Sequence, residues 1–290
     1  MAKRDIAASI RSRLLKLARE RGQPFDLVIT RYALERLLYR LSESAHRNRF
    51  ALKGAMLITT WFPDPHRPTR DLDLLGFGDF TEESVLKVFR EVCGMPADDG
   101  VTFDADKLRI ERIREELEYG GLRLRTVANL ARARINVVVD VGFGDAVEPG
   151  LEEIKFPVLL DSAVPRLRAY PRETVIAEKF QAMVYLGRAK SRMKDFYDVW
   201  MLSKAYEFDE GRLAKAIAAT FTRRRTAIPS DVPDAFTSEF ARDASKRLQW
   251  DAFVRELTAS PGSLETVVSD LAAFLMPMAK KVGTLSLSDD

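Results

Sequence analysis

A single cysteine, Cys93, in 290 residues excludes an intramolecular disulfide framework and with it the small stapled extracellular scaffolds. No run of about 18 apolar residues occurs, which removes a membrane-spanning helix and a membrane partner. The start MAKRDIAASIRSRLLKLA lacks the long apolar core of a signal peptide, so a cytoplasmic location is expected. Charge of neither sign dominates: 46 lysines and arginines face 43 acids, and a net +3 does not by itself argue for nucleic acid. Zinc-ligand spacing, a Walker loop and a Gly-x-Ser-x-Gly elbow are all missing, and the only histidines, His46 and His66, are not spaced as a catalytic pair. What is present is 46% hydrophobic content, enough for a buried core in one large or two modest domains.

Apolar residues at helical spacing predict helices over residues 5–19 and 26–44. A further helix is expected at 81–92, capped by Thr81. KLRIERI (107–113) and GLRLRTVAN (121–129) alternate apolar and charged residues, as half-exposed antiparallel strands do. ARINVVVDVGFG (133–144) is nearly all apolar from Ile135 to Val141 and predicts a central strand covered on both faces. From Pro171 the pattern is helical: 172–187, 194–207, 211–222, part of 233–258, and 263–279, with a frayed tail at 282–290. The shift from strands to helices sets an expected boundary near Pro165, between a mixed α/β domain (1–165) and a helical one (166–290).

Within KGAMLITTWFPDPHRPTRDLDLL (53–75), Asp71 and Asp73 stand one residue apart in a leucine run. On a strand they share a face about 6.5–7 Å apart, and the apolar residues Leu72, Leu74 and Leu75 argue against a merely wet edge. Paired carboxylates repel unless solvent or a divalent cation neutralises them. Oxygen ligands suit Mg²⁺ or Mn²⁺, and Asp140, on the neighbouring apolar strand, is the expected third ligand of a site for in-line phosphoryl transfer. The competing reading pairs Asp71 with Arg70 and treats Asp140 as turn chemistry before Gly142. Gly54 opens the apolar segment AMLITTWF, and a glycine at a helix start lets backbone amides approach a phosphate.

On a helical wheel of 172–187, Val175, Ile176, Phe180, Met183, Val184 and Leu186 share a face that has Lys179 at its centre, while Glu178 and Gln181 point away. A core-facing ammonium is costly without an anion, unless the side chain snorkels to water. If the anion is a substrate, Lys179→Met should melt at or above wild type. In GRAKSRMKDFYDVW (187–200), Arg188, Lys190, Arg192 and Lys194 precede a helix with Asp195 and Asp198 in its first turns, where capping alone explains acids. Asp195 borders the apolar face, within reach of Lys179 or Arg192, and Asp198 points elsewhere. Basic residues also gather at Arg123, Arg125, Arg132 and Arg134, at Arg166, Arg168 and Arg172, and at Arg223 to Arg225; they permit an RNA-binding surface.

LKGAMLI with TRDLDLL, NVVVDVGFGD, and EKFQAMVYLGRAKSRMKDFYDVW together resemble the polymerase β-type nucleotidyltransferases, and among them the AbiEii/MenT toxins of bacterial toxin–antitoxin systems. The resemblance spans about Phe50 to Trp200. It departs at Ala55, where the family usually carries a second glycine or a serine, so no hydroxyl is available to a phosphate. The resemblance implies an α+β chain: a polymerase β-like nucleotidyltransferase domain with a small mixed or antiparallel sheet, then a C-terminal helical domain. It implies Asp71, Asp73, Asp140, Lys179 and Asp195 as catalytic residues, the first three holding Mg²⁺ or Mn²⁺. A nucleoside triphosphate would be bound by Lys53, Gly54, Ala55, Arg70, Lys179, Arg192 and Lys194. The implied reaction transfers a nucleoside monophosphate to RNA, at the 3′ end of tRNA, by a toxin restrained by a cognate antitoxin protein. A protein or small-molecule acceptor, or an inert RNA- or protein-binding module on the same fold, is the alternative.

Overall fold

The computed structural model describes residues 5–62, 67–79, 81–113, 120–189, 192–257 and 260–285. The chain divides into two compact units, Met1–Gly144 with Glu152–Ala169, and Asp145–Leu151 with Tyr170–Asp290. His66 and Lys190 lie outside the described residues.

The first unit opens with α1 (Ile6–Glu20), whose N-cap Asp5 accepts from the Ala8 amide, and α2 (Phe25–Glu43). β1 (Phe50–Lys53), α3 (Gly54–Ile58) and β2 (Asp71–Gly76) follow, then α4 (Glu82–Gly94), capped by Thr81 as the sequence predicts. β3 (Val101–Phe103), β4 (Arg109–Ile113), β5 (Gly121–Leu130), β6 (Ala133–Phe143), β7 (Glu152–Lys155) and β8 (Arg166–Ala169) complete it. Among the described residues these strands form one mixed sheet in the order β3-β5-β6-β2-β1-β8-β7, with β4 also on β5. β6 is central, as its apolar run predicts, between antiparallel β5 and parallel β2. It is not covered on both faces. Ile135, Val137, Val139 and Val141 are buried, whereas Asn136 is exposed and Val138 and Asp140 are half-buried, so the second face stays open. Four residues of β1 were too short a run to show a period.

α2 is buried almost all round, with the charges of Glu35, Arg36 and Arg40 included. Arg40 forks onto Asp99 (Nη1–Oδ2 2.7 Å, Nη2–Oδ1 3.1 Å), so that pair is satisfied. Glu35 is less well met. Its Oε2 accepts from the Leu159 amide at 2.8 Å, but Oε1, although 2.8 Å from Arg36 Nη2, has no aligned donor. Burial therefore pushes the Glu35 carboxyl up to about 7 against the pull of Arg36. A folded-state value above the unfolded one makes a stabilising contribution that is full in acid and is lost as pH rises through that value. Melting temperature should accordingly fall by several degrees between about pH 5 and pH 8, and Glu35→Gln should flatten the slope. Identical slopes in the two proteins would remove Glu35 as its source.

The second unit is helical: α5 (Arg172–Leu186), α6 (Met193–Ala205), α7 (Glu210–Arg223), α8 (Ser238–Arg242), α9 (Ala244–Val254) and α10 (Leu264–Leu285). Stacked rings make its core, with Phe180 on Phe236 at 5.8 Å and Phe196 on Phe240 at 5.5 Å. α10 continues to Leu285, past the end expected at 279 and into the stretch expected to fray; residues 286–290 lie outside the described residues. α5 departs from its wheel. Gln181, expected to point away, is fully buried, and Val184 and Leu186, expected inside, are only half-buried. A single-faced wheel fails on a helix flanked by α6 and α7 and met by Phe236 as well. No helix among the described residues is long and apolar enough to cross a membrane.

Candidate active site

In the first unit the site is made by strand register. β2 and β6 run parallel, placing Asp73 opposite Asp140 and Asp71 opposite Val138. Beyond β6, Arg123 of β5 stands opposite Asp140; beyond β2, Lys53 of β1 stands opposite Asp73. Lys53, Asp73, Asp140 and Arg123 thus share one row on one face, which Glu111 of β4 extends. Leu72, Leu74, Val139 and Val141 alternate to the other face and anchor the row from below.

Asp71 is exposed and Asp73 half-buried, as expected for two acids on the open face of a strand whose leucines are buried. Arg70 does not pair with Asp71; its Nη2 lies 2.7 Å from Asp26 of α2, in an exposed ion pair. Asp140 is gripped at both oxygens by Arg123, Nε–Oδ1 and Nη2–Oδ2 each 2.7 Å, and the grip raises the guanidinium pKa further. Among the described residues no three acidic, histidine or cysteine side chains are gathered as a metal-binding group. Asp140, the expected third carboxylate, stands beside Asp73 and is held by Arg123. The donor chemistry of Asp71 and Asp73 fits an oxygen-preferring divalent cation that takes one or two carboxylates and completes its shell from phosphate and water.

Gly54 has a use that the sequence did not reveal. Its φ is +70°, and a Cβ there would stand 2.0 Å from Asp73 Oδ2. The glycine makes room for the carboxylate. α3 behind it has only five residues, so little macrodipole is available and any anion would be met by local amides. Ala55 is half-buried in this turn. Gly54→Ala is expected to lower melting by several degrees, through left-handed strain of about 1–2 kcal/mol plus the overlap, and to displace Asp73. Unchanged melting and transfer would show that the strand edge yields without consequence.

In the second unit, Lys179 is 12% exposed, with Nζ 2.7 Å from Asp195 Oδ1 and 2.8 Å from Asp198 Oδ2. It does not simply snorkel to water. The second oxygen of Asp195 lies 3.1 Å from Arg192 Nε, so Asp195 meets both cations that the sequence set beside it. Asp198, expected to point elsewhere, is 2% exposed and belongs to the same group. Three residues on in a helix of about 3.6 per turn, it lies only about 60° round from Asp195, and α6 is buried over most of its circumference. Lys194 is exposed.

A second buried network escaped the sequence. Arg224 donates to Glu178 Oε1 at 2.7 Å and Gln181 Oε1 at 3.0 Å and pairs with Asp145 at 3.4 Å, while the Tyr170 hydroxyl donates to Asp145 Oδ2 at 2.9 Å. Burial raises the Tyr170 phenol. Glu178, expected to point away, is a member. Only the Asp145 of GFGD hinted at it. Among the arginines offered as RNA contacts, Arg224 belongs to this network and Arg172 has its guanidinium 3.8 Å from the centre of the Tyr206 ring. Arg168 donates to the Asn48 carbonyl and lies over Phe77 at 4.9 Å, and Arg188 forks onto Asp234. His46 bonds to Glu91 at 2.7 Å on the surface.

None of the curated proteins matches the chain. A presumed nucleotidyltransferase from H. pylori has a similar fold at 15% identity and a TM-score of 0.52, over 89% of this chain and 97% of its own. JHP933 from Helicobacter pylori aligns over 88% of this chain and 92% of its own, at 16% identity and a TM-score of 0.49. The family model for the nucleotidyl transferase AbiEii toxin of type IV toxin–antitoxin systems matches residues 36–273. That span holds the Asp-x-Asp strand, the opposed aspartate of β6 and the buried lysine of α5, so the chain belongs to the AbiEii family of nucleotidyl transferase toxins.

Proposed function

We propose that this toxin transfers a nucleoside monophosphate from a nucleoside triphosphate to an RNA hydroxyl, at the 3′ end of tRNA, in a metal-dependent reaction. The observation that carries the reading is the register of β2 and β6, which sets hard oxygen ligands side by side on an open sheet face. Asp71 and Asp73 would hold Mg²⁺ or Mn²⁺ together with the triphosphate oxygens, and Asp140 is the third carboxylate within the row. Bound there, the cation would neutralise the phosphates and lower the pKa of the attacking hydroxyl. The family resemblance implies Lys179 and Arg192 as further triphosphate contacts, and within the second unit Asp195 lies 2.7 Å from Lys179 Nζ and 3.1 Å from Arg192 Nε. Lys53 and the Gly54 and Ala55 amides are the phosphate contacts proposed from the first unit, and Arg70 and Lys194 add exposed charge.

The acceptor reading draws on the same face. Arg109, Arg125 and Arg134 share it with Asp71 and Asp73, and all three are exposed. Arginines beside a site for phosphoryl transfer suit a ribose-phosphate backbone, which positions the strand without reading its sequence. Family membership implies an antitoxin counterpart. The test is incubation with total tRNA and each labelled nucleoside triphosphate in turn, with Mg²⁺. Label in tRNA from at least one nucleotide is expected. Label only in protein or in a small molecule would move the acceptor, and no transfer to anything would leave an inert binding module.

A further inference from the structure

Asp73 and Asp140 stand opposite each other on neighbouring parallel strands, backbones about 4.8 Å apart, so their charges repel. The row ends in cations on both sides, Lys53 beyond Asp73 and Arg123 beyond Asp140. At Asp140 the pairing is a fork, with both oxygens held at 2.7 Å. Arg123 and Asp140 side chains are 32% and 19% exposed, sheltered enough for a fork to outweigh an ordinary surface pair. A guanidinium does not lose its proton in any ordinary range of pH, so the pair is opened by competing ions, a cation at the carboxylate or an anion at the guanidinium. Glu111, opposite Arg123 on its other side and 3.1 Å from Arg125 Nε, places a further negative charge beside the freed guanidinium.

Resting on the nucleotidyl-transfer reading, we propose that Arg123 is a positioning residue that acts as a resident counter-cation for Asp140. It holds the third carboxylate beside Asp73 and withholds it from bare metal until metal and triphosphate arrive together. The consequence is weak binding of free divalent cation, because one ligand is already engaged. Removing the Arg123 charge should free that ligand and leave Asp140 beside Asp73 without its own counter-cation.

Mn²⁺ titration of the full chain without nucleotide, followed by the resonance of free Mn²⁺, tests this directly. Arg123→Gln is expected to bind Mn²⁺ at least about tenfold tighter than wild type, and to lose that gain when Asp140→Asn is added. Its metal-free melting temperature should be lower than that of wild type and recover with Mn²⁺. Arg123→Lys, which keeps the charge but not the fork, should fall between and serves if the glutamine variant does not fold. Equal or weaker Mn²⁺ binding by a folded Arg123 variant would overturn the proposal. If Asp73→Asn still weakened binding in that case, the transfer reading would stand without it. No Mn²⁺ binding by any form, with normal transfer by Asp73→Asn, would remove both.

Discussion

Asp73→Asn is expected to lower nucleotidyl transfer by at least about a thousandfold while the protein melts within a couple of degrees of wild type. Asn keeps the shape of the side chain and so keeps the space that Gly54 provides, where a Cβ would meet Asp73 Oδ2 at 2.0 Å. It removes one of two opposed charges, which relieves repulsion across β2 and β6. That relief offsets the attraction lost to Lys53 opposite Asp73, so stability changes little, whereas the pair of Asp71 and Asp73 loses half its charge. The stabilisation conferred by Mg²⁺ with nucleotide should shrink in parallel, since a ligand that prefers the native state raises melting by mass action. Transfer within tenfold of wild type would take Asp73 out of the ligand set.

Lys179→Met is expected to lose both function and stability. The sequence alone argues for melting at or above wild type, with a substrate as the anion that meets a core-facing ammonium. Asp195 and Asp198 supply that anion from within the chain, at 2.7 and 2.8 Å. Deleting the ammonium leaves two carboxylates that are 4% and 2% exposed facing each other, and breaking a buried pair in this way costs about 3–5 kcal/mol. A drop of roughly ten degrees in melting temperature follows. Transfer should fall by at least about a hundredfold. Adding Asp198→Asn to Lys179→Met separates the two effects: melting should recover in part, and transfer should not. A single variant that melts like wild type would mean that the carboxylates are compensated from elsewhere, with Arg192, 3.1 Å from Asp195, the first place to look.

The reversal marks where sequence stopped being legible. Local period and turn chemistry located α1, α2, α4 and the strands β4, β5 and β6, because each holds its pattern for at least a turn or several alternations. Asp71 and Asp73 were readable for the same reason: their shared face is a property of one strand. Arg123 was visible only as one of several arginines, since its fork on Asp140 depends on the pairing of β5 with β6, which no local pattern encodes. Gln181, Glu178 and Asp198 were misplaced because a wheel assumes one buried side, and α5 and α6 bury polar groups on several sides by pairing them with one another. Lys179 was found through the same wheel, since a charge amid apolar residues demands a partner whatever the geometry; the partner's identity was the part that needed coordinates.

The order in which the chain is made gives its crossings between units a cost in time. Ala51 and Leu52 of β1 pair with Arg168 and Ala169 of β8, while Asp145–Leu151, synthesised in between, belongs to the second unit. During translation at about 5–20 residues per second, the β8 side of β1 therefore waits several seconds as an open edge, with Phe50, Ala51 and Leu52 available to the wrong strand. A fragment ending at Gly144 would carry that edge permanently. Neither unit is an uninterrupted stretch of this sequence, so a cut that closes the β1 edge, after Ala169, carries Asp145–Leu151 of the second unit along with the first.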